Sequence, residues 1–301
     1  MARKQVNSLS GQVVAITGGA RGIGKATATA MIRRGARVAI GDLDLPLAEQ
    51  TALELGGNCV AFELDVTERP SFEAFLDAAE KELGPVDVLI NNAGIMPLGR
   101  LVEESDETAR LMVDINLHGV LIGSKLAMER MTARNSGHIV NIASQAGKGG
   151  FPGGATYCAT KFAVVGLSEA MRAELEDTDV EVAVVMPAIV NTELGGGLQS
   201  ARGVRNLEPE EVADAIIEAV ETNRYDVWVP KSTAAIATVM NLVPRRGREA
   251  IAKGLNAHKV LDEADSNVRA EYEDRAAHSS HMAQVNDPAA AESPAKTTKS
   301  S

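Results

Sequence analysis

The chain has 301 residues, 45% hydrophobic and 24% charged, enough to bury one substantial core. Its net charge of −11 argues against nonspecific nucleic-acid binding, and its two cysteines, Cys59 and Cys158, fit reduced thiols better than a disulfide framework. No apolar run reaches the ~18 residues of a membrane span, Met1-Ala-Arg-Lys4 is not followed by a signal-peptide core, and a soluble cytoplasmic protein is expected. The five histidines include none in a catalytic-metal spacing, and His278 and His281 lie in a polar segment, so no metal is expected.

Near the N-terminus the apolar run Val13-Val-Ala-Ile16 leads into Thr17-Gly-Gly-Ala-Arg-Gly-Ile-Gly24, and a helical pattern follows over residues 25–32. Strand, glycine turn and helix in that order can cradle a pyrophosphate. Gly18, Gly22 and Gly24 let the backbone turn tightly and approach a ligand, while the helix offers unpaired N–H groups and a positive dipole end. Taken alone, the same residues would also serve as a plain strand-to-helix turn. The phosphate loop of triphosphatases competes for Gly19-Ala-Arg-Gly-Ile-Gly-Lys25, but Ala26 stands where that loop needs a hydroxyl for magnesium. Asp42 ends the second apolar strand, Arg37-Val-Ala-Ile-Gly-Asp42, about 20 residues beyond the loop, where an acid meets the adenosine ribose. A carboxylate there accepts bonds from a ribose diol and repels the extra phosphate of NADP. Arg21 inside the turn pulls the other way, since a guanidinium can pair with that phosphate, and Leu43 adds no second cation. The balance favours NAD, with NADP as the alternative.

Further along, residues 109–131 read as a helix carrying Asn116, and Gly137-His-Ile-Val-Asn-Ile-Ala-Ser144 reads as a strand ending in a serine. In Ala155-Thr-Tyr-Cys-Ala-Thr-Lys161, helical spacing puts Tyr157 and Lys161 on one face. A free phenol titrates near ~10, and a fixed ammonium nearby lowers that value toward a useful base. Singly, each residue has an ordinary reading: Ser144 as a strand-end hydroxyl, Asn116 as a packed or capping amide, Tyr157 and Lys161 as a solvated pair.

Jointly and in this order, these motifs resemble the short-chain dehydrogenases/reductases of the roughly 250-residue kind, over about residues 8–232. Thr17 to Gly24 resembles the family's TGxxxGxG loop, Asp65-Val66 the pair flanking the adenine, and Asn91-Asn-Ala-Gly94 the segment ending the fourth strand. The resemblance implies one doubly wound α/β Rossmann-type domain, a central parallel sheet of about seven strands with helices on both faces. It implies a catalytic tetrad of Asn116, Ser144, Tyr157 and Lys161. Tyr157 would be the base, Ser144 would hold the substrate oxygen, Lys161 together with the positive nicotinamide ring would depress the tyrosine pKa, Lys161 would also hold the nicotinamide ribose, and Asn116 would anchor a water that relays the proton. Cofactor contacts would come from Thr17, Gly18, Arg21, Gly22, Ile23, Gly24, Asp42, Asp65, Val66, Asn92, Ala93, Gly94, Tyr157, Lys161, Pro187, Ile189 and Thr192. The expected activity is hydride transfer between a secondary alcohol or ketone and NAD. An NADPH-linked carbonyl reductase and a non-catalytic dinucleotide-binding regulator are the alternatives. Pro187-Ala188 departs from the family's Pro-Gly and leaves the local loop geometry open. Family members commonly pair through the helices bearing Asn116 and Tyr157, so a homotetramer or homodimer is expected.

Ile95, Met96, Leu98, Phe151 and Pro152 adjoin these motifs and suggest an apolar substrate, sterol-like, retinoid-like or long-chain, without excluding a sugar alcohol. Residues 188–207, with Gly195-Gly-Gly197, should form a flexible cover. After the strand at 225–229, residues 233–262 read as a helical extension: a helix over 232–243 ended by Pro244, then Arg245-Arg-Gly-Arg248 and an amphipathic stretch over 249–261. It could cover the substrate pocket, pack on another subunit or touch anionic lipid with its arginines, with packing the favoured role and lipid contact the less favoured one. Residues 263–301 read as a mobile polar tail with a short helix near 268–275 and no catalytic residue.

Overall fold

Seven runs of β-branched and small apolar residues form the seven strands of one parallel sheet in a computed structural model, which describes residues 7–198, 205–244, 246–247 and 266–277. The strands are β1 (Val13–Thr17), β2 (Arg37–Asp42), β3 (Cys59–Glu63), β4 (Val88–Asn91), β5 (Gly137–Ile142), β6 (Val180–Pro187) and β7 (Asp226–Val229), in the order β3-β2-β1-β4-β5-β6-β7. Side chains alternate between the two faces, and both faces are covered, which is why the strands read as unbroken apolar runs. Along β1, Val13 and Ala15 enter one core while Val14 and Ile16 enter the other.

The helices divide accordingly. On one face, α1 (Gly22–Arg33) and α7 (Pro209–Thr222) contribute Ala28, Met31, Val212 and Ile216. The opposite face receives Phe72, Phe75 and Leu76 from α3 (Arg69–Leu83), Leu126 and Met131 from α5 (Gly119–Ala133), and Met171 from α6 (Ala155–Glu174). Each large apolar side chain so buried contributes about 1.5–3 kcal/mol. Helix starts are written in the sequence: Asp44 caps α2 (Leu45–Leu55) by accepting from Leu47 N, and Ser105 caps α4 (Asp106–Val113) by accepting from Thr108 N. The expected helix over 109–131 is present but longer, because α4 runs through a π-helical turn, Asp114–His118, into α5. By length and composition this Asp106–Ala133 stretch could cross a bilayer, which a search for unbroken apolar runs misses. Its buried side packs on the sheet.

β1 and β4 are neighbours although two strands separate them in sequence, so the loops leaving their C-terminal ends diverge and open a cleft. The ends are stitched together. Thr17 Oγ1 accepts from both Asn92 N and Ala93 N at 2.9 Å, and Asn92 Nδ2 donates to the carbonyls of Thr17 and Gly18 at 3.0 Å.

Beyond β7, α8 (Ser232–Leu242) matches the expected helix at 232–243, whereas the amphipathic stretch at 249–261 lies outside the described residues. A last helix, α9 (Ser266–Ala277), occupies the region read from sequence as a mobile tail. The short helix expected near 268–275 is there, but it is not a free tail. Arg269, Tyr272 and Ala276 are buried, and the latter two join the core on the α3/α5/α6 face. Composition misleads here because the docked face is narrow, one residue per turn, and one of its members is an arginine.

Two predictions follow from buried polar groups in the sheet. Thr17→Val strands two amide N–H groups between β1 and β4 and is expected to cost about 2–4 kcal/mol in urea unfolding. A loss below 0.5 kcal/mol would show that the stitch is dispensable. His138 on β5 is buried, its Nε2 has no hydrogen-bond partner among the described residues, and burial holds its pKa down at about 4. Since the unfolded imidazole titrates near ~6.5, the unfolded chain takes up the proton first as pH falls. Stability from this residue is therefore complete above ~6.5 and drains away toward pH 4. His138→Leu is expected to remove that acid limb, so that wild-type and variant unfolding free energies diverge by about 3 kcal/mol between pH 7 and 4. Parallel curves would refute it.

Candidate active site

The cleft is a cavity of about 840 Å³ at the C-terminal edge of the sheet. Its floor is the glycine turn, and two positions there depend on glycine. Gly22 has φ +52, where a side chain is strained, and a Cβ on Gly24 would lie 2.1 Å from the carbonyl oxygen of Gly18. The turn feeds directly into the N-terminus of α1, whose first N–H groups are unpaired within the helix. A pyrophosphate fits this cradle by its chemistry: backbone donors, a positive dipole end and glycines that let the ligand approach the backbone. Gly18, Arg21, Gly22, Ile23, Val66, Asn92, Ala93, Gly94, Pro187, Ile189 and Thr192 all line the cavity.

Asp42 also lines it. Burial raises the Asp42 pKa above the usual carboxylate value, while hydrogen bonds from Ala20 N (3.0 Å) and Asp44 N (3.2 Å) pull the other way. Arg21 is engaged by acids on both sides: Nη2 reaches Asp44 Oδ2 at 2.6 Å and Nη1 reaches Glu193 Oε2 at 3.3 Å.

Helix α6 carries Tyr157 and Lys161 one turn apart, both buried, with the Lys161 ammonium 5.7 Å from the centre of the Tyr157 ring. Ser144 follows β5, caps a 3-10 turn (Gln145–Gly147) through Ala146 N, and lies near enough to the Tyr157 phenol to pull its pKa down. These three residues share the cavity wall with Ile95, Met96 and Phe151. Burial dominates and pushes the phenol up to about 12, against the downward pull of Ser144, and the same burial brings Lys161 down to about 8. Lys161 Nζ spends one bond on Ile142 O at 2.9 Å.

Some expected residues stand behind the wall rather than in it. Asn116, in the π-helical turn, is fully buried. Its amide bonds both the N–H and the carbonyl of Ile95 at 2.8 Å, and Nδ2 also reaches Thr160 Oγ1 at 3.3 Å. Thr17 acts through the stitch to Asn92 and Ala93, and Gly24 through its packing on Gly18. Asp65 does not line the cavity: its Oδ1 is taken by Thr67 N at 2.9 Å and Thr67 Oγ1 at 2.6 Å, leaving Val66 beside the cleft. Of the candidate substrate contacts, Leu98 packs against the core and Pro152 is exposed, so neither lines the cavity. Ala188 adopts no positive φ, so its Cβ is accommodated where the family has glycine, and its N–H bonds Val229 O at 2.8 Å. Thr192 Oγ1 accepts from Gly195 N at 3.3 Å, and its methyl group closes over Gly22.

The sequence reading missed the contribution of α9, which brings Tyr272, Arg275 and Ala276 to the cavity. The available signal was the spacing Arg269, Tyr272, Ala276 along one helical face. Among the described residues, no group of three or more His, Cys, Asp or Glu side chains is placed to hold a metal, and both cysteines are buried free thiols.

Known proteins resemble this chain in sequence and in fold. The chain is 39% identical over 231 residues to 2-(S)-hydroxypropyl-CoM dehydrogenase 3 of Xanthobacter autotrophicus, covering 70% of this chain and 90% of that protein. It is 34% identical over 229 residues to 17-beta-hydroxysteroid dehydrogenase 13 of Mus musculus, covering 74% and 75%. A crystal structure of a short chain dehydrogenase/reductase from Burkholderia phymatum in complex with NAD superposes with a TM-score of 0.72 at 26% identity, over 78% of this chain and 94% of that one. The family described as short chain dehydrogenase matches residues 12–203, and the chain belongs to that family of oxidoreductases.

Proposed function

We propose that the protein is an NAD-dependent dehydrogenase that moves a hydride between a secondary alcohol or its ketone and the nicotinamide. The observation that carries this reading is a buried phenol that shares the cavity wall with Ser144 and stands one helical turn from a buried ammonium, beside a glycine cradle suited to a pyrophosphate. Held there, the dinucleotide supplies the hydride acceptor or donor and, when oxidised, a positive ring.

Tyr157 would exchange the proton of the reacting hydroxyl, and Ser144 would hold the same oxygen. With its pKa raised to about 12, Tyr157 carries at neutral pH the proton that ketone reduction requires. Alcohol oxidation asks it to release that proton, which the charge on Lys161 assists while Lys161 stays protonated, below about pH 8. Asn116 would act by fixing Ile95 at the edge of the cavity. The choice of NAD rests on Asp42 and on the engagement of Arg21 by Asp44 and Glu193, since a 2′-phosphate would have to enter among three carboxylates. An apolar alcohol suits a wall containing Ile95, Met96, Phe151 and Leu198. The two relatives above are both named for a secondary hydroxyl, on a 2-hydroxypropyl group and on a steroid.

Following absorbance at 340 nm with a panel of secondary alcohols, we expect turnover with NAD that falls at least ~10³-fold in Tyr157→Phe, with NADH binding retained. Near-normal turnover in the variant would remove Tyr157 from the chemistry. Silence of the wild type across the panel, in protein that still binds NADH, would favour a dinucleotide-binding regulator. Asp42→Ala is expected to shift the NADP-to-NAD affinity ratio upward by roughly tenfold or more. An unchanged ratio in paired titrations would count against the assignment of Asp42.

A further inference from the structure

The outermost wall of the cavity comes from α9, a helix that is polar except where it docks. Arg269 makes the docking specific. Its Nη2 donates to Met96 O at 2.7 Å, and Nη1 donates to the carbonyls of Leu194 and Gly196, both at 3.2 Å. Met96 belongs to the loop after β4, and Leu194 and Gly196 belong to the cover after β6, so one guanidinium ties together two separate walls of the cavity. Burying that cation would be costly without partners. Here three carbonyls and the Glu273 carboxylate, 3.0 Å from Nε, surround it.

Tyr272 sits one turn further, buried, with the Arg269 guanidinium 5.3 Å from its ring centre. Its Oη accepts from Met96 N at 2.7 Å. The Met96 peptide is thus gripped by α9 on both its N–H and its carbonyl, just as Asn116 grips both groups of Ile95 beside it. A phenol that accepts one bond still has a proton to donate. Among the described residues no hydrogen-bond acceptor for that proton is present, and Tyr272 faces the same cavity as Tyr157 and Ser144. Burial keeps the Tyr272 pKa above the ordinary phenol value, and the neighbouring Tyr157 adds to the rise, so the hydroxyl stays a donor at working pH.

We propose that Tyr272 is a substrate-binding residue that donates its hydroxyl proton to a second oxygen on the substrate, selecting secondary alcohols and ketones that carry a further hydrogen-bond-accepting oxygen away from the reacting carbon. Arg269 is the positioning residue for it. The proposal rests on the dehydrogenase reading: Tyr157 and Ser144 take the reacting oxygen, Tyr272 takes the other, and the apolar wall takes the chain between them.

The test uses the full-length Tyr157→Phe protein saturated with NADH, so that binding is read without turnover. Nonan-2-one is compared with nonanediones whose second carbonyl stands at successive carbons, and dissociation constants are read from NADH fluorescence. At least one dione should bind roughly three- to tenfold tighter than nonan-2-one, the worth of one neutral hydrogen bond. Adding Tyr272→Phe should erase that advantage, weakening dione binding at least threefold more than it weakens nonan-2-one binding, with NADH affinity within about twofold. Arg269→Met should erase it too, and should speed hydrogen exchange at the 194–198 amides. A purely structural role would weaken both ketones alike, and that result overturns the proposal. So does an advantage that survives Tyr272→Phe, or the lack of any advantage. Failure of the dehydrogenase reading registers separately, as wild-type protein that discriminates between the ketones yet turns over no alcohol.

Discussion

Every feature of the site depends on the seam between β1 and β4. These strands lie side by side, yet the chain reaches β4 only after building β2 and β3 on the far side of β1. The loops that leave the two strands must therefore part, and the hydroxyl of Thr17 keeps them from parting too far by holding Asn92 N and Ala93 N. On one side of the seam the chain turns through its glycines into α1; on the other it runs through Gly94 to Ile95 and Met96. A Cβ at Gly94 would lie 3.1 Å from Asn116 Oδ1 and 3.7 Å from Lys161 Nζ, so the glycine cradle and the residues proposed to handle the proton meet at that point.

Burial is what gives the phenol and the ammonium their character, and it acts on them in opposite senses. Removing water disfavours the charged form of each, so the Tyr157 pKa rises and the Lys161 pKa falls. The helical spacing that brings them together in sequence says nothing of this, because on an exposed face the ammonium would dominate. A network of buried amides and hydroxyls keeps the ground beneath them rigid: Asn91 Nδ2 reaches Asn141 Oδ1 at 2.8 Å, and Asn141 Nδ2 reaches Ser168 Oγ on α6 at 3.0 Å. Strand β4, strand β5 and the helix bearing the tyrosine are thereby locked in register.

The residues after β4 are held from two directions. Asn116 fixes Ile95 from the long helix below, and α9 fixes Met96 from outside. The two grips act on adjacent peptide units, so any motion of α9 is felt one residue from the Asn116 contact. Glu193 extends the same linkage, since its Oε2 meets both Arg275 on α9 and Arg21 in the glycine turn. These outer ion pairs are solvent-accessible and individually worth little. The buried Arg269 is the stronger bond between the C-terminal helix and the domain.

Local rules made most of this chain legible before any coordinates. Strands buried on both faces appear as unbroken apolar runs, glycines mark where a turn must pass close to a ligand, and Tyr157 and Lys161 share a face because a helix repeats every 3.6 residues. Those features depend on neighbours in sequence, and the individual strands, the glycine turn and the Tyr157–Lys161 pair followed from them, whereas the seven-stranded sheet and the place of Ser144 beside that pair were implied by the family resemblance. Other features depend on partners distant in sequence and were settled by packing. Asp65 turns to Thr67 instead of the cleft, Asn116 spends its amide on Ile95, and burial raises the tyrosine and lowers the lysine. Above all, a segment polar enough to pass for a solvated tail closes the cavity, because a single face of Arg269, Tyr272 and Ala276 finds its carbonyls and its core more than seventy residues away. Composition averages over all faces of a helix, whereas docking is decided by one.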